Sequence, residues 1–258
     1  MLKTYKPPQL DTLDQPELLD GLRQLVQLQD KADKQDPDVH EETLQVEARD
    51  GHRLPLRVFR SRVSPQAAED RAVPLVVLYF GGGFVLGTPT SMADLARSLV
   101  KRFNAIVVAP TYRLAPEYRF PTSINDGDDT MQWIAKHAVD KLRADPKHGF
   151  VLGGVSAGAN LTNVITHLAR DRGMVPPITG NWLSVAGIRM RPGDEHKLPE
   201  KYRARFLSRT QDACVNSGTI GPELRKLFDD SLKPDINSEL YAPMYWPSDK
   251  GHKDMPKT

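Results

Sequence analysis

Phe150-Val151-Leu152-Gly153-Gly154-Val155-Ser156-Ala157-Gly158-Ala159-Asn160 joins an apolar run to an alanine-rich run through Gly-x-Ser-x-Gly. The order reads as strand, tight turn and helix, with a serine at the turn. Glycines flank the serine because such a turn brings backbones too close for side chains. The turn lifts the hydroxyl above the end of the sheet. The helix that starts there offers free N–H groups and a positive dipole end to developing negative charge. By itself the pattern is weak, because any tight turn favours small residues. Its place between strand and helix makes it specific.

The preceding segments repeat the alternation. Val73-Pro74-Leu75-Val76-Val77-Leu78-Tyr79-Phe80 is almost wholly apolar, as a strand buried on both faces should be. It runs into Gly81-Gly82-Gly83-Phe84, whose open backbone can turn N–H groups toward a ligand. Residues 89–102 read as a helix capped by Thr90 or Ser91. Ala105 to Pro110 is a second buried strand, Tyr112 to Pro121 a loop, and residues 123–138 a helix with Trp133 and Ile134 on its apolar side. Strands and helices in alternation imply an α/β fold with a mostly parallel sheet wrapped by helices.

Outside this core, residues 9–35 carry leucines and Val26 at helical spacing. Thr43–Ala48 and Leu54–Phe59 alternate with period two around Asp50-Gly51, a hairpin signal. Ile178 to Ile188 is a further strand candidate. Residues 194–235 are charged, with helical stretches near Lys201–Leu207 and Pro222–Leu232, and Asn237–Thr258 shows no clear strand. The expected division is residues 1–38 as N-terminal cap helix and linker, 39–190 as core, 191–236 as cap segment and 237–258 as tail.

Composition narrows the function. The 258 residues are 39% hydrophobic and 26% charged, which fits a folded globular chain. A net charge of +2 with dispersed basic residues gives no footprint for nucleic acid. The lone cysteine, Cys214, excludes an internal disulfide framework and has no histidine beside it in sequence, so it reads as an ordinary residue. The N-terminus lacks an apolar signal core and no window has the length of a membrane span, so a cytoplasmic location is the expectation. Neither His-x-x-x-His nor Cys-x-x-Cys occurs, so no metal site is expected.

Three segments together resemble the hormone-sensitive-lipase-like (fold-3) branch of the α/β-hydrolases, closest to its fungal esterase-like members. They are Gly81-Gly82-Gly83-Phe84 with Val85-Leu86-Gly87, Tyr112-Arg113-Leu114-Ala115-Pro116-Glu117, and Gly154-Val155-Ser156-Ala157-Gly158 with Asn160. The resemblance implies a carboxylic-ester hydrolase acting without a cofactor on a small-molecule ester, with a helical cap over the site. Some such members accompany secondary-metabolite pathways. It implies Ser156 as nucleophile and the backbone N–H groups of Gly82, Gly83 and Ala157 as the oxyanion hole. It designates no substrate-binding residue.

The chain also departs from that pattern. Phe80 stands where the family usually has histidine, and Val155 where an acidic residue is common. The family's acid and histidine follow the serine after two further strands, whereas this chain ends at Thr258, about where the acid-bearing strand is expected. The expectation is therefore a sheet short of its C-terminal strands, with an open edge that a homodimer or another partner would cover. His167 lies eleven residues along the helix from Ser156, about 16 Å at 1.5 Å per residue. His196 and His252 read as solvated, and His40, His52, His137 and His148 lie far from the family's base position. Two readings stay open: an active serine esterase, or an impaired relative lacking triad Asp and His that acts as a binding or interaction protein.

Overall fold

The structure, a computed structural model, describes residues 15–62, 73–186, 191, 193–204, 220–247, 249 and 251–258. Six strands form one sheet: β1 (Val39–Glu47), β2 (Arg53–Ser61), β3 (Leu75–Tyr79), β4 (Ile106–Pro110), β5 (Phe150–Val155) and β6 (Gly180–Ser184). Their spatial order is β1-β2-β4-β3-β5-β6. β1 and β2 form an antiparallel hairpin from Val39↔Ser61 to Glu47↔Arg53, closed by the Ala48–His52 turn around Asp50-Gly51. β2 runs antiparallel to β4, while β3 lies parallel to β4 and β5, and β5 parallel to β6. The sheet is mostly parallel, and its middle strands are the most apolar. Every residue of β4 is buried, and in β3 only Val76 is partly exposed, because helices cover both faces there.

The helices among the described residues are α1 (Gln15–Ala32), α2 (Ala93–Phe103), α3 (Thr122–Lys136), α4 (Ala157–Asp171), α5 (Glu200–Arg203) and α6 (Pro222–Leu232). α2 packs on β2 and β4, and α4 on β5, β6 and α3. The helix expected over 89–102 is two elements, a 3-10 turn Pro89–Met92 followed by α2. Its cap is Thr88, not Thr90 or Ser91. Pro89 holds Thr88 extended (φ −148°, ψ 166°), so the Thr88 hydroxyl accepts from Thr90 N–H. On α3, Ile134 is buried and Trp133 half-buried, as the apolar face requires.

An ionic knot fixes the segment between α1 and β1 against the sheet. Arg97 of α2 donates to Asp33 at 2.7 and 2.9 Å and to Glu41 at 2.8 Å, and Arg57 donates to the same two carboxylates. The Arg97 guanidinium holds the Asp33 carboxyl below its usual range against the opposing effect of burial.

The C-terminal residues reach the edge of the sheet. Asn181 N–H donates to the Lys257 carbonyl at 2.7 Å, and Lys257 forms an isolated parallel bridge with Gly180. The tail, read from sequence as strandless, thus pairs at one point with β6. Among the described residues no other strand pairs with the outer side of β6, and Trp182 on that strand is 39% exposed.

Candidate active site

Ser156 sits between the end of β5 and the start of α4 with φ 54° and ψ −113°. A non-glycine residue at positive φ costs about 1–3 kcal/mol and persists only where the surroundings enforce it. Ser156 N–H donates to the Ser184 carbonyl at 2.9 Å, and the Ser156 carbonyl accepts from Asn160 N–H at 3.0 Å. The motif glycines make room for the turn. A Cβ on Gly154 would lie 2.3 Å from the Gly158 carbonyl, and one on Gly158 would lie 2.2 Å from the Tyr79 carbonyl oxygen. β5, α4 and the end of β3 therefore meet at backbone contact.

The triglycine bend lies on this elbow. A Cβ on Gly81 would stand 2.9 Å from the Val155 carbonyl oxygen and 3.4 Å from Ser156 Cβ. Gly82 (φ 123°) and Gly83 (φ 65°) take conformations that favour glycine. The Gly82 carbonyl accepts from Val85 N–H at 3.0 Å and Leu86 N–H at 2.9 Å, closing the bend. Among the described residues no acceptor engages Gly82 or Gly83 N–H. Ala157, as first residue of α4, has no intrahelical acceptor for its own N–H. Ser156, Gly82, Gly83 and Ala157 thus occupy one corner at the carboxyl ends of β3 and β5.

Packing holds the bend where the family has a histidine. The Phe80 ring is fully buried and stacked on Tyr112 at 4.2 Å and 8°, and Tyr112 OH donates to the Phe80 carbonyl at 2.8 Å. The Tyr112–Glu117 loop is locked in turn. Arg113 makes a forked pair with Asp126 at 2.7 and 2.9 Å and an ion pair with Asp50 at 2.7 Å. Ala115 N–H donates to the Phe84 carbonyl at 2.9 Å. Arg23 on α1 donates to both Glu117 oxygens, at 2.6 and 2.8 Å, and to the Ala115 carbonyl at 2.8 Å.

A cavity of about 770 Å³ opens between α1 and the bend. Its walls include Val26 and Asp30 of α1, Gly81, Gly82 and Leu86 of the bend, and Val155 beside Ser156. From the other side, Phe228 of α6 lays its ring against Gly83. Sequence reasoning does not reach Asp30, Arg23 or Phe228 as site residues. They lie far from the motifs in the chain, and their types are ordinary for amphipathic helices.

The histidines are engaged elsewhere. His137 pairs with Asp140, His148 with Asp145, and His196 Nδ1–H donates to the Gly193 carbonyl at 2.9 Å. His40 lies on β1, and His52 tilts against Tyr118. His167 is 1% exposed; its Nδ1–H donates to the Asn163 carbonyl at 2.8 Å, and its Nε2 lies 2.9 Å from His252 Nδ1. His252, expected to be merely solvated, instead ties the tail to α4. Among the described residues no imidazole hydrogen-bonds to Ser156 Oγ. Burial and the facing His252 push the His167 imidazole below its ordinary pKa. Among the described residues no three His, Cys, Asp or Glu side chains are placed to hold a metal ion, and no helix is long and apolar enough to cross a membrane. Cys214 lies outside the described residues.

The chain is similar to known proteins in sequence and fold. The family profile described as alpha/beta hydrolase fold matches residues 76–232. An AB hydrolase superfamily protein of Schizosaccharomyces pombe is 35% identical over 219 residues, covering 85% of this chain and 61% of that protein. Carboxylesterase NlhH of Mycobacterium tuberculosis is 37% identical over 123 residues, covering 48% of this chain and 36% of that one. The chain therefore spans less than two thirds of the length of either. The solved esterase of Pyrobaculum calidifontis superimposes with a TM-score of 0.74 at 26% identity, over 99% of this chain and 74% of that one. The strained serine elbow, the triglycine bend packed on it and these matches together place the chain in the alpha/beta hydrolase fold family, in its hormone-sensitive-lipase-like branch.

Proposed function

We propose that this corner is a carboxylic-ester hydrolase site with Ser156 as nucleophile. The observation that carries the reading is the seating of Gly81 against Val155 and Ser156, which puts the bend and the elbow side by side. Ser156 Oγ attacks the ester carbonyl carbon and loses its proton to a base. The carbonyl oxygen becomes an alkoxide held by the N–H groups of Gly82, Gly83 and Ala157. One such prearranged donor is typically worth about 3 kcal/mol in the transition state. Collapse expels the alcohol, which takes a proton, and leaves an acyl-serine. Water then attacks that ester and releases the acid. The chemistry of this scheme needs no cofactor. α1 and α6 act as the cap, since both border the bend. A place in secondary metabolism follows only from the fungal resemblance.

A second reading is favoured by one observation: no imidazole among the described residues bonds to Ser156 Oγ. A serine hydroxyl without a base is a poor nucleophile, and the site would then bind an ester and turn it over weakly. A fluorophosphonate probe separates the readings. Labelling that disappears in Ser156→Ala, together with turnover of a p-nitrophenyl ester, supports the hydrolase. Binding of an ester without labelling or turnover supports the impaired relative. Labelling that survives in Ser156→Ala removes Ser156 from both.

A further inference from the structure

The cavity beside the bend has one carboxylate to which no cation bonds among the described residues. Among the described residues three acidic side chains line it, Asp30, Asp33 and Asp94. Asp33 is bound by Arg57 at 2.7 Å and by Arg97 at 2.7 Å. Asp94 is fully exposed and pairs with Arg97 at 3.2 Å. Asp30 differs. It is half-buried, and its Oδ1 accepts from Thr88 Oγ1 at 2.7 Å. Thr88 is itself fixed, because its hydroxyl oxygen accepts from Thr90 N–H at 3.3 Å. No cation bonds to Asp30 among the described residues. Lys34 also lines the cavity, but it lies past the end of α1 and is exposed, so water screens it more strongly.

We infer that this cavity is a subsite for an ester carrying a basic amine, with Asp30 as the residue that selects it. The inference rests on the ester-hydrolase reading of the Ser156 corner. Val26, Leu86 and Met92 give the cavity apolar walls, along which an alkyl chain can lie. An ammonium supplies three donors to a carboxylate whose one side-chain partner among the described residues is the neutral Thr88 hydroxyl. A charge-assisted bond of this kind is stronger than a neutral one, and apolar surroundings strengthen it further. Gly81, Gly82 and Val155 line the same cavity, and Gly81 seats against Ser156, so a ligand anchored at Asp30 lies in a space that borders the elbow. Asp30 touches no reacting atom and acts on specificity alone.

The test uses the whole chain carrying Ser156→Ala, so that no turnover interferes. Dansylcadaverine, which bears a free ammonium, is titrated by fluorescence beside its neutral N-acetyl derivative at pH 7 and low salt. The expected result is at least about tenfold tighter binding of the amine, the scale of one charge-assisted bond. Adding Asp30→Asn, which keeps an oxygen for Thr88, should bring the two ligands within about twofold. Thr88→Val, which frees the carboxylate to swing away, should reduce the preference in part. Equal binding of the two ligands, no binding of either, or a preference that survives Asp30→Asn overturns the inference. Fluorophosphonate labelling of the unmutated chain is run in parallel. Labelling without an amine preference leaves the hydrolase reading standing and removes this subsite. An amine preference without labelling leaves an amine-binding cavity and removes the hydrolase reading.

Discussion

Phe228 lies so close to Gly83 that a Cβ on Gly83 would stand 2.4 Å from two carbons of its ring. The two residues lie 145 positions apart in the chain, and their contact brings α6 down onto the bend. The start of α1 joins the same assembly, since Gln15 Nε2–H donates to Asp230 Oδ2 at 3.0 Å.

Gly83→Ala should therefore disturb both the bend and α6. The new methyl meets an aromatic ring, and the residue sits at φ 65°. Overpacking of this kind costs about 1–3 kcal/mol. Labelling at Ser156 should fall by more than tenfold, about the effect of losing 1.4 kcal/mol of oxyanion stabilisation. In the double variant with Phe228→Ala, the urea midpoint should recover in part while labelling stays low, because removing the ring leaves the backbone strain. Full recovery of labelling would show that the ring alone, not the bend, was at fault.

Gly158→Ala should be more damaging still. Its Cβ would meet the carbonyl oxygens of Tyr79 at 2.2 Å and Phe80 at 2.4 Å, both on backbone that cannot swing aside. A loss of about 3 kcal/mol or more is expected, at the upper end for overpacking. Gly173→Ala is the control. That glycine has open space around it, although its φ of 62° carries a smaller strain cost. Urea unfolding of the two variants measures the difference.

Arg97→Ala should destabilise the fold by about 3–5 kcal/mol, the scale for removing one partner of a buried ion pair. Arg97 and Glu41 have side chains only 6% and 5% exposed. Arg57 still bonds Glu41 and Asp33 in the variant, so the loss should fall at the lower end of that range. Arg97→Lys keeps a charge but not the fork that reaches Asp33 and Glu41 together, and should fall between. A near-neutral Arg97→Ala in urea unfolding would show that the knot contributes nothing net.

The His167–His252 contact predicts a pH dependence with a definite sign. His167 Nδ1–H is committed to the Asn163 carbonyl, so Nε2 must accept from His252 Nδ1–H. A proton on that Nε2 would end this bond unless His252 moved its own proton to its Nε2, which lies 3.4 Å from the Met244 carbonyl. The Asn163 carbonyl and, less strongly, Asp171 oppose this by favouring the protonated ring, but burial first, then His252 and Arg170, outweigh them. Trp246 packs on the same ring and donates to Asp171. The folded-state pKa is thus below the ordinary 6.5, and the unfolded chain binds the proton more readily. This contribution is complete above about pH 6.5 and is lost as pH falls below it. Asp33, with its pKa held down by Arg97, loses its contribution only in a more acid range. The urea midpoint should drop from pH 7.5 to 5.5, and the drop should shrink in His167→Gln. An unchanged drop in that variant would exclude this pair as its source.

The legible part of this protein is local. The central strands could be read because burial on both faces leaves only apolar residues to choose from. The hairpin could be read from period-two alternation around Asp50-Gly51. The elbow could be read because its crowding admits no side chain at Gly154 or Gly158, two residues either side of Ser156, and crowding imprints itself on neighbouring positions.

The amino-acid order alone thus determined a serine elbow, a triglycine bend and the α/β sheet that carries them. Only tertiary structure decided that Gly81 seats against Ser156, that Phe80 replaces a histidine by stacking on Tyr112, and that Arg23, Asp30 and Phe228 border the bend from distant helices. It also decided that His252, though exposed, reaches His167. The physical reason is range. Backbone sterics and burial act on each residue through its neighbours in sequence, whereas a contact across a cavity is a property of two segments and leaves no pattern in either one.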